Sequence, residues 1–256
     1  MRALNIHAGP LARRHIEQQG LSPADIRLIP AAAGGPKGLI LSHIDRHVFG
    51  NWLNASSQTV HLVGASIGAW RMGAAVMPDP VTAFDELARG YIHQRYDVEP
   101  GRKMPTPASV SAGFEVSLRQ FFERDKAAIL NHPTRRLHVL TSRGRHILRG
   151  GGRVGAPLGF AGLVLANTLS RKGVGAFLER HVFSSPGAPL PVEMDGQPTT
   201  FLPLTADNLV PAIQASCSIP FVLDGVRNIP GARAATHWDG GLIDYHLHWN
   251  YASMPE

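Results

Sequence analysis

Ser66 stands in Gly64-Ala65-Ser66-Ile67-Gly68, after the apolar run Val60-His61-Leu62-Val63 and before the apolar segment Ala69–Met77. Strand, sharp turn and helix is the setting in which G-x-S-x-G presents a nucleophile. Gly64 and Gly68 keep the turn clear of side chains, and the serine oxygen is lifted to the start of a helix, where the dipole favours developing negative charge. The chemistry this suggests is attack on a carbonyl. A serine hydroxyl is a very weak acid, so it needs a base to take its proton and donors to hold the oxyanion. Donors are available in Gly34-Gly35-Pro36-Lys37-Gly38, between a strand and a helix. Pro36 has no N–H, which leaves Gly34, Gly35, Lys37 and Gly38.

For the base, the residue types leave several readings open. A Ser–acid–His triad could draw on Asp207 or Asp224 with His237, His246 or His248, although thirteen histidines make such a set easy to assemble. Asp239, ahead of Gly240 and Gly241, reads on its own as a turn aspartate. His246 and His248 alternate near Asp239 and Asp244, which permits a metal site; without a firm third ligand they read as surface residues, and neither metal nor cofactor is expected.

The elements that must position these residues follow an α/β pattern. Ile26–Ile29 reads as a strand, Ala31–Gly38 as a loop and Leu39–Phe49 as a helix with Leu39, Ile40, Ile44 and Val48 apolar. The Val60 strand, the serine turn and a helix stopped by Pro78 and Pro80 form a second unit. Two such units in succession predict a central, mainly parallel sheet covered by helices on both faces. Helices are expected over Val81–His93 and Val110–Leu130, and strands over Arg136–Thr141, Thr199–Leu204 and Ala234–Trp238. A helix is expected over Asp207–Ser216, capped by Asp207. Gly144–Gly175, rich in glycine and arginine, reads as a surface excursion that could act as a mobile cover.

With 256 residues, 44% of them hydrophobic and 17% charged, the chain is expected to form one soluble domain over 1–256. One cysteine, Cys217, excludes an internal disulfide framework and fits a small buried residue in a reducing, cytoplasmic setting. Residues 1–10 lack a signal-peptide core, and the longest apolar run, Ala156–Leu169, is interrupted by Pro157, Gly159 and Gly162 and is too short to span a bilayer. The formal net charge of +6 favours anionic partners. Nucleic acid is disfavoured, since no aromatic-rich RNA-binding signature or zinc-finger spacing accompanies the arginine clusters. Leu158–Leu169, flanked by Arg149, Arg153, Arg171 and Lys172, suits peripheral contact with an anionic membrane surface; burial in the core explains it equally well.

Three blocks, in order and in setting, resemble the patatin-like phospholipases. Gly34-Gly35-Pro36-Lys37-Gly38 is similar to that family's oxyanion loop, which ends in a basic residue and a glycine. Gly64-Ala65-Ser66-Ile67-Gly68 resembles its nucleophile elbow, and Asp239-Gly240-Gly241 its catalytic aspartate motif. Ala215–Phe221 resembles the block that precedes that motif, read here as structural. The resemblance covers Ile26–Gly241 and implies a three-layer sandwich, a Ser66–Asp239 dyad without histidine, and hydrolysis of lipid acyl esters through an acyl-enzyme. It also implies that Gly240 and Gly241 let Asp239 turn in towards Ser66. The chain departs from the family at Ala33, where another acidic residue or glycine is common, and at Pro36. It also stops at Glu256, where family domains often continue, so either a domain shortened at its C-terminal end or a sheet closed differently is expected.

Overall fold

The computed structural model describes residues 5–98, 100–152 and 154–254. In chain order its elements are α1 (Pro10–Gln19), β1 (Leu28–Ala31), α2 (Ser42–Gly50), β2 (Val60–Ala65), α3 (Ile67–Ala75), α4 (Pro80–Ile92), α5 (Pro107–Phe122) and α6 (Lys126–Leu130). There follow β3 (Arg135–Gly144), α7 (Gly155–Leu169), α8 (Val174–Phe177), β4 (Leu178–Ser184), β5 (Thr199–Pro203), α9 (Leu209–Ser216), β6 (Val226–Arg227), β7 (Thr236–Asp239) and α10 (Gly241–Asp244). The expected α/β class is present, with a mostly parallel sheet. Strands β1, β2 and β3 run parallel, as do β4 and β5, while β4 and β7 both run antiparallel to β3, and β6 to β7.

β2 pairs with the first part of β3, Ala65 standing opposite Leu140, and β7 pairs with the next part, Asp239 standing opposite Thr141. Since β4 takes the other edge of β3, β2 and β7 share one edge and meet head-on. Two strands that approach from opposite directions therefore end on neighbouring residues of a third.

Alternation along the strands separates the two faces. Leu62, Leu137, Val139 and Phe183 pack with residues of α3, α5 and α9 in the main core. Val63, Ala65, Leu140 and Val182 face the other way, onto Leu190, Val192, Leu247 and Trp249. Helices thus cover the first face. The second is covered by α7 near the end of β3, through Phe160 and Leu163 against Leu178 and Trp238, and elsewhere by segments without long helices. Every residue of α3 is buried, including Arg71, whose guanidinium makes a two-pronged pair with Asp45 of α2 at 2.8 and 2.7 Å. Asp79 and Thr106 cap α4 and α5 by accepting the N–H groups of Thr82 and Ser109, and each is followed by proline at the first helical position.

Several boundaries differ from expectation for identifiable reasons. β1 lies two residues later than the expected Ile26–Ile29 strand. Gly35–Leu41 winds as a 3-10 helix before α2, and its three-residue pitch turns Ile40 outward with Ile44, while Leu39 and Val48 pack on the core. The expected Val110–Leu130 helix begins at Pro107 and is broken by a 3-10 turn at Glu123–Asp125. Asp207 is exposed and does not cap α9. Asn208 takes the cap position, its side chain accepting the Thr205 N–H at 2.7 Å and donating to the Pro203 and Pro230 carbonyls. The excursion over Gly144–Gly175 contains a fifteen-residue helix, α7. Pro157 falls in its first turn, where N–H groups lack helical partners anyway, and Gly159 and Gly162 lie against Leu148 and Phe177. No helix among the described residues is long and apolar enough to cross a membrane. Arg153 lies outside the described residues.

Candidate active site

Ser66 occupies the single residue between β2 and α3, at φ 56° and ψ −129°, a left-handed conformation costly for a side-chain-bearing residue. What holds it there is packing on both flanks. A Cβ on Gly64 would overlap the backbone of Gly68 and Ala69, and one on Gly68 would overlap the carbonyl of Ala31. The Ser66 N–H donates to the Ser216 hydroxyl at 2.9 Å. Ser216 ends α9, and the turn after it also holds the aspartate: the Asp239 N–H donates to the Ser218 carbonyl at 3.0 Å, and the Gly240 N–H to the Ser216 carbonyl at 3.1 Å. The block Ala215–Phe221 is thus the bridge that fixes both candidate residues.

The Ser66 hydroxyl donates to Asp239 Oδ2 at 2.6 Å, across 173 residues of sequence. The second carboxylate oxygen, Oδ1, accepts the Gly241 N–H at 2.7 Å. Both side chains are buried. Burial pushes the Asp239 carboxyl up to about 6, against the opposing pull of its bonds from Ser66 and Gly241. At neutral pH the group is still ionised, yet far more basic than an ordinary aspartate. This geometry permits direct proton transfer from serine to aspartate.

Gly240 and Gly241 matter for a different reason than backbone freedom. Gly240 has an ordinary helical φ of −61° and Gly241 begins α10. A Cβ on Gly240 would overlap the Leu140 carbonyl, and one on Gly241 would come within 2.7 Å of Ala33 Cβ. Close approach of three chain segments requires glycine here. Ala33 in turn donates its N–H to the Tyr245 carbonyl at 3.0 Å, tying the glycine-rich segment to the aspartate loop.

The four expected oxyanion donors are not placed alike. Gly35 lines the same cavity as Ser66 and Ile67. The Lys37 N–H turns back to the Gly34 carbonyl at 3.4 Å, and the Lys37 residue is exposed. Gly38 packs on the side chains of Ile67 and Arg71 and does not itself line that cavity. Gly34 and Gly35 both have positive φ, which turns the chain into the 3-10 helix. Ile67, not among the donors expected from the sequence, has its N–H at the first position of α3, directly after the serine. The signal was present in the elbow motif, since the residue after the nucleophile is a customary donor.

The alternative partners lie elsewhere. His237 is buried and bonded to the Thr141 hydroxyl at 3.0 Å, and burial beside His181 lowers it to about 3, so it is neutral. His246 and His248 are exposed and stacked on each other, and line a different cavity with Arg171 and Asp195. Asp207 and Asp224 are exposed. Asp244 is taken up by Arg180, which donates to its two oxygens at 2.6 and 2.7 Å. Among the described residues, no group of three or more His, Cys, Asp or Glu side chains is arranged to hold a metal ion. Cys217 is buried and lines the Ser66 cavity, and burial pushes its thiol well up, with the Asp239 charge adding to the effect. Comparison with family models, curated proteins and solved structures finds no match to this chain.

Proposed function

We propose that this chain is a serine acyl hydrolase of the patatin-like kind, with the corresponding fold, cleaving fatty-acyl esters of phospholipids or other lipids. The observation that carries the reading is the 2.6 Å bond from the Ser66 hydroxyl to a buried carboxylate of raised proton affinity. Ser66 Oγ attacks the acyl carbonyl while Asp239 takes its proton. The N–H groups of Gly35 and Ile67 hold the oxyanion. As the tetrahedral intermediate collapses, Asp239 returns the proton to the departing alcohol. Water, deprotonated by the same aspartate, then attacks the acyl-enzyme, and Asp239 passes that proton to Ser66 Oγ as the acyl–oxygen bond breaks and the acid is released. Neither metal nor cofactor enters this scheme.

The base works ionised, and its folded value is about 6, so kcat/KM rises with pH through that value and levels off above it. The deciding experiment labels folded protein with a fluorophosphonate probe and follows turnover of a short-chain ester. Ser66 should carry the label, Ser66→Ala should lose it, and Asp239→Asn should lose turnover by about 10³-fold or more. His237→Ala, His246→Ala and His248→Ala should retain it. Loss with the histidine variants alone would transfer the base role to a triad, and an unlabelled Ser66 would make the protein a binder without catalysis.

The same molecule is proposed to approach lipid as a peripheral protein. On α7 the inward residues Ala156, Gly159, Phe160 and Leu163 are buried, while Leu158, Val164, Leu165 and Leu169 are exposed. Burial in the core accounts for the inward face alone, and the exposed face is what supports the lipid-contact reading. Phe160 stacks edge-on with the exposed Phe221 at 5.6 Å, beside the rim of the Ser66 cavity formed by Ile219 and Val222. Arg149, Arg171 and Lys172, all exposed, flank the helix and suit anionic headgroups.

A further inference from the structure

The cavity that opens on Ser66 has a volume of about 310 Å³, and none of its lining residues is charged. Trp70, Val110, Phe114 and Leu223 form its buried wall, with Tyr91 and Tyr96 half-buried beside them. Resting on the hydrolase reading above, we infer that this cavity receives the acyl chain and gauges its length, selecting medium-chain acyl groups of about ten carbons, with Val110 and Phe114 of α5 as the residues that set the limit.

Three observations lead there. An uncharged lining suits hydrocarbon and penalises a lipid headgroup, whose charges would lose water without gaining partners. The volume sets a length, because a methylene is about the size of a water molecule, whose share of liquid volume is roughly 30 Å³. A cavity of about 310 Å³ therefore accommodates about ten carbons. The wall is also stiff. Trp70 meets Phe114 edge-on at 5.3 Å and Phe121 at 5.9 Å, and these rings belong to the main core together with α9. Close-packed aromatic walls do not yield without a cavity or overlap elsewhere. A longer chain has to leave part of its length outside, past the exposed rim residues Ile219 and Val222.

The test measures kcat/KM for a series of p-nitrophenyl esters from acetate to palmitate, each as a monomer in solution. In the wild type, each added methylene should raise kcat/KM about fourfold until the cavity is full. The maximum should fall at octanoate to decanoate, and palmitate should be at least tenfold below it. Val110→Phe, which narrows the cavity, should lower the decanoate-to-acetate ratio at least tenfold. Phe114→Ala should shift the maximum to longer chains, and Phe114→Leu, milder for the fold, should shift it the same way by less. A flat wild-type profile, or one still rising at palmitate, overturns the length gauge while leaving the hydrolase intact. Variants that leave the maximum in place overturn the assignment to α5. Absence of Ser66 labelling and of acetate turnover in the wild type overturns the hydrolase reading, and the gauge falls with it.

Discussion

Asp239 is expensive to keep charged where it is. A carboxyl held at about 6 instead of its ordinary 3.8 carries an ionisation penalty of about 3 kcal/mol in the folded state at neutral pH. The sign follows from proton counting: between pH 4 and 6 the folded chain binds a proton that the unfolded chain has released, so this residue's contribution favours folding as pH falls through that window. Asp239→Asn removes the charge and leaves an oxygen for the Gly241 N–H, while the amide forfeits part of the bond from Ser66. Net stabilisation of about 1–2 kcal/mol at pH 8 is therefore expected, shrinking towards zero at pH 4. Thermal melts of both proteins across that range check it, and an Asn variant less stable at pH 8 than the wild type would show that Asp239 is not strained by its charge. Stability gained as turnover is lost is the behaviour of a site under functional load.

At the level of elements, Ser66 and Asp239 meet because β2 and β7 end on consecutive residues of β3, and the sequence shows only half of that construction. The elbow was legible because its residues are local: two glycines, a serine and an apolar strand and helix on either side. The aspartate loop, which on its own reads as a turn, was legible only through the resemblance of its block, taken with the other two, to the patatin-like family. The strand that completes the sheet, β4, was not, since Leu178-Glu179-Arg180-His181-Val182-Phe183-Ser184 puts Glu, Arg and His into a buried strand. Hydrophobic periodicity fails when buried charges are paired across space: Arg180 bonds Asp244 and Asp195, and Arg143 bonds Glu179 at 2.8 Å. Nor could it show α7, whose glycines serve close packing rather than breaking the helix. The Arg180–Asp244 pair matters to the site because Asp244 lies at the end of α10, whose first residue, Gly241, bonds Asp239. Arg180→Met strands a buried carboxylate and should cost about 3–5 kcal/mol. Arg180→Met combined with Asp244→Leu should recover most of that loss. Denaturant unfolding distinguishes the cases; a double variant no better than the single would mean that the pair acts through shape and not charge.

At the scale of the whole molecule, the exposed apolar face of α7 stands beside basic residues. The chain carries a formal net charge of +6, and an isolated apolar stripe on a soluble surface needs a reason to be tolerated. On α7, Leu158, Leu165 and Leu169 are 60–83% exposed and share a face opposite the buried Phe160 and Leu163. A core helix would have buried that stripe and a solvated one would have replaced it with polar residues. The proposed contact with a bilayer would account for both the stripe and the flanking Arg149, Arg171 and Lys172. Burying one leucine is worth about 1.5–3 kcal/mol at most, so Leu165→Asp, which also adds a charge repelled by anionic lipid, should weaken binding to phosphatidylserine-containing vesicles at least tenfold. Binding of the wild type should fall as salt rises from 50 to 500 mM, because headgroup attraction is screened while leucine insertion is not. Vesicle co-sedimentation measures both effects, with melting temperature as the control for folding. If Leu165→Asp sediments as the wild type does, α7 is not the membrane face. If binding is indifferent to salt, the arginines and lysine beside it are not what anionic lipid meets.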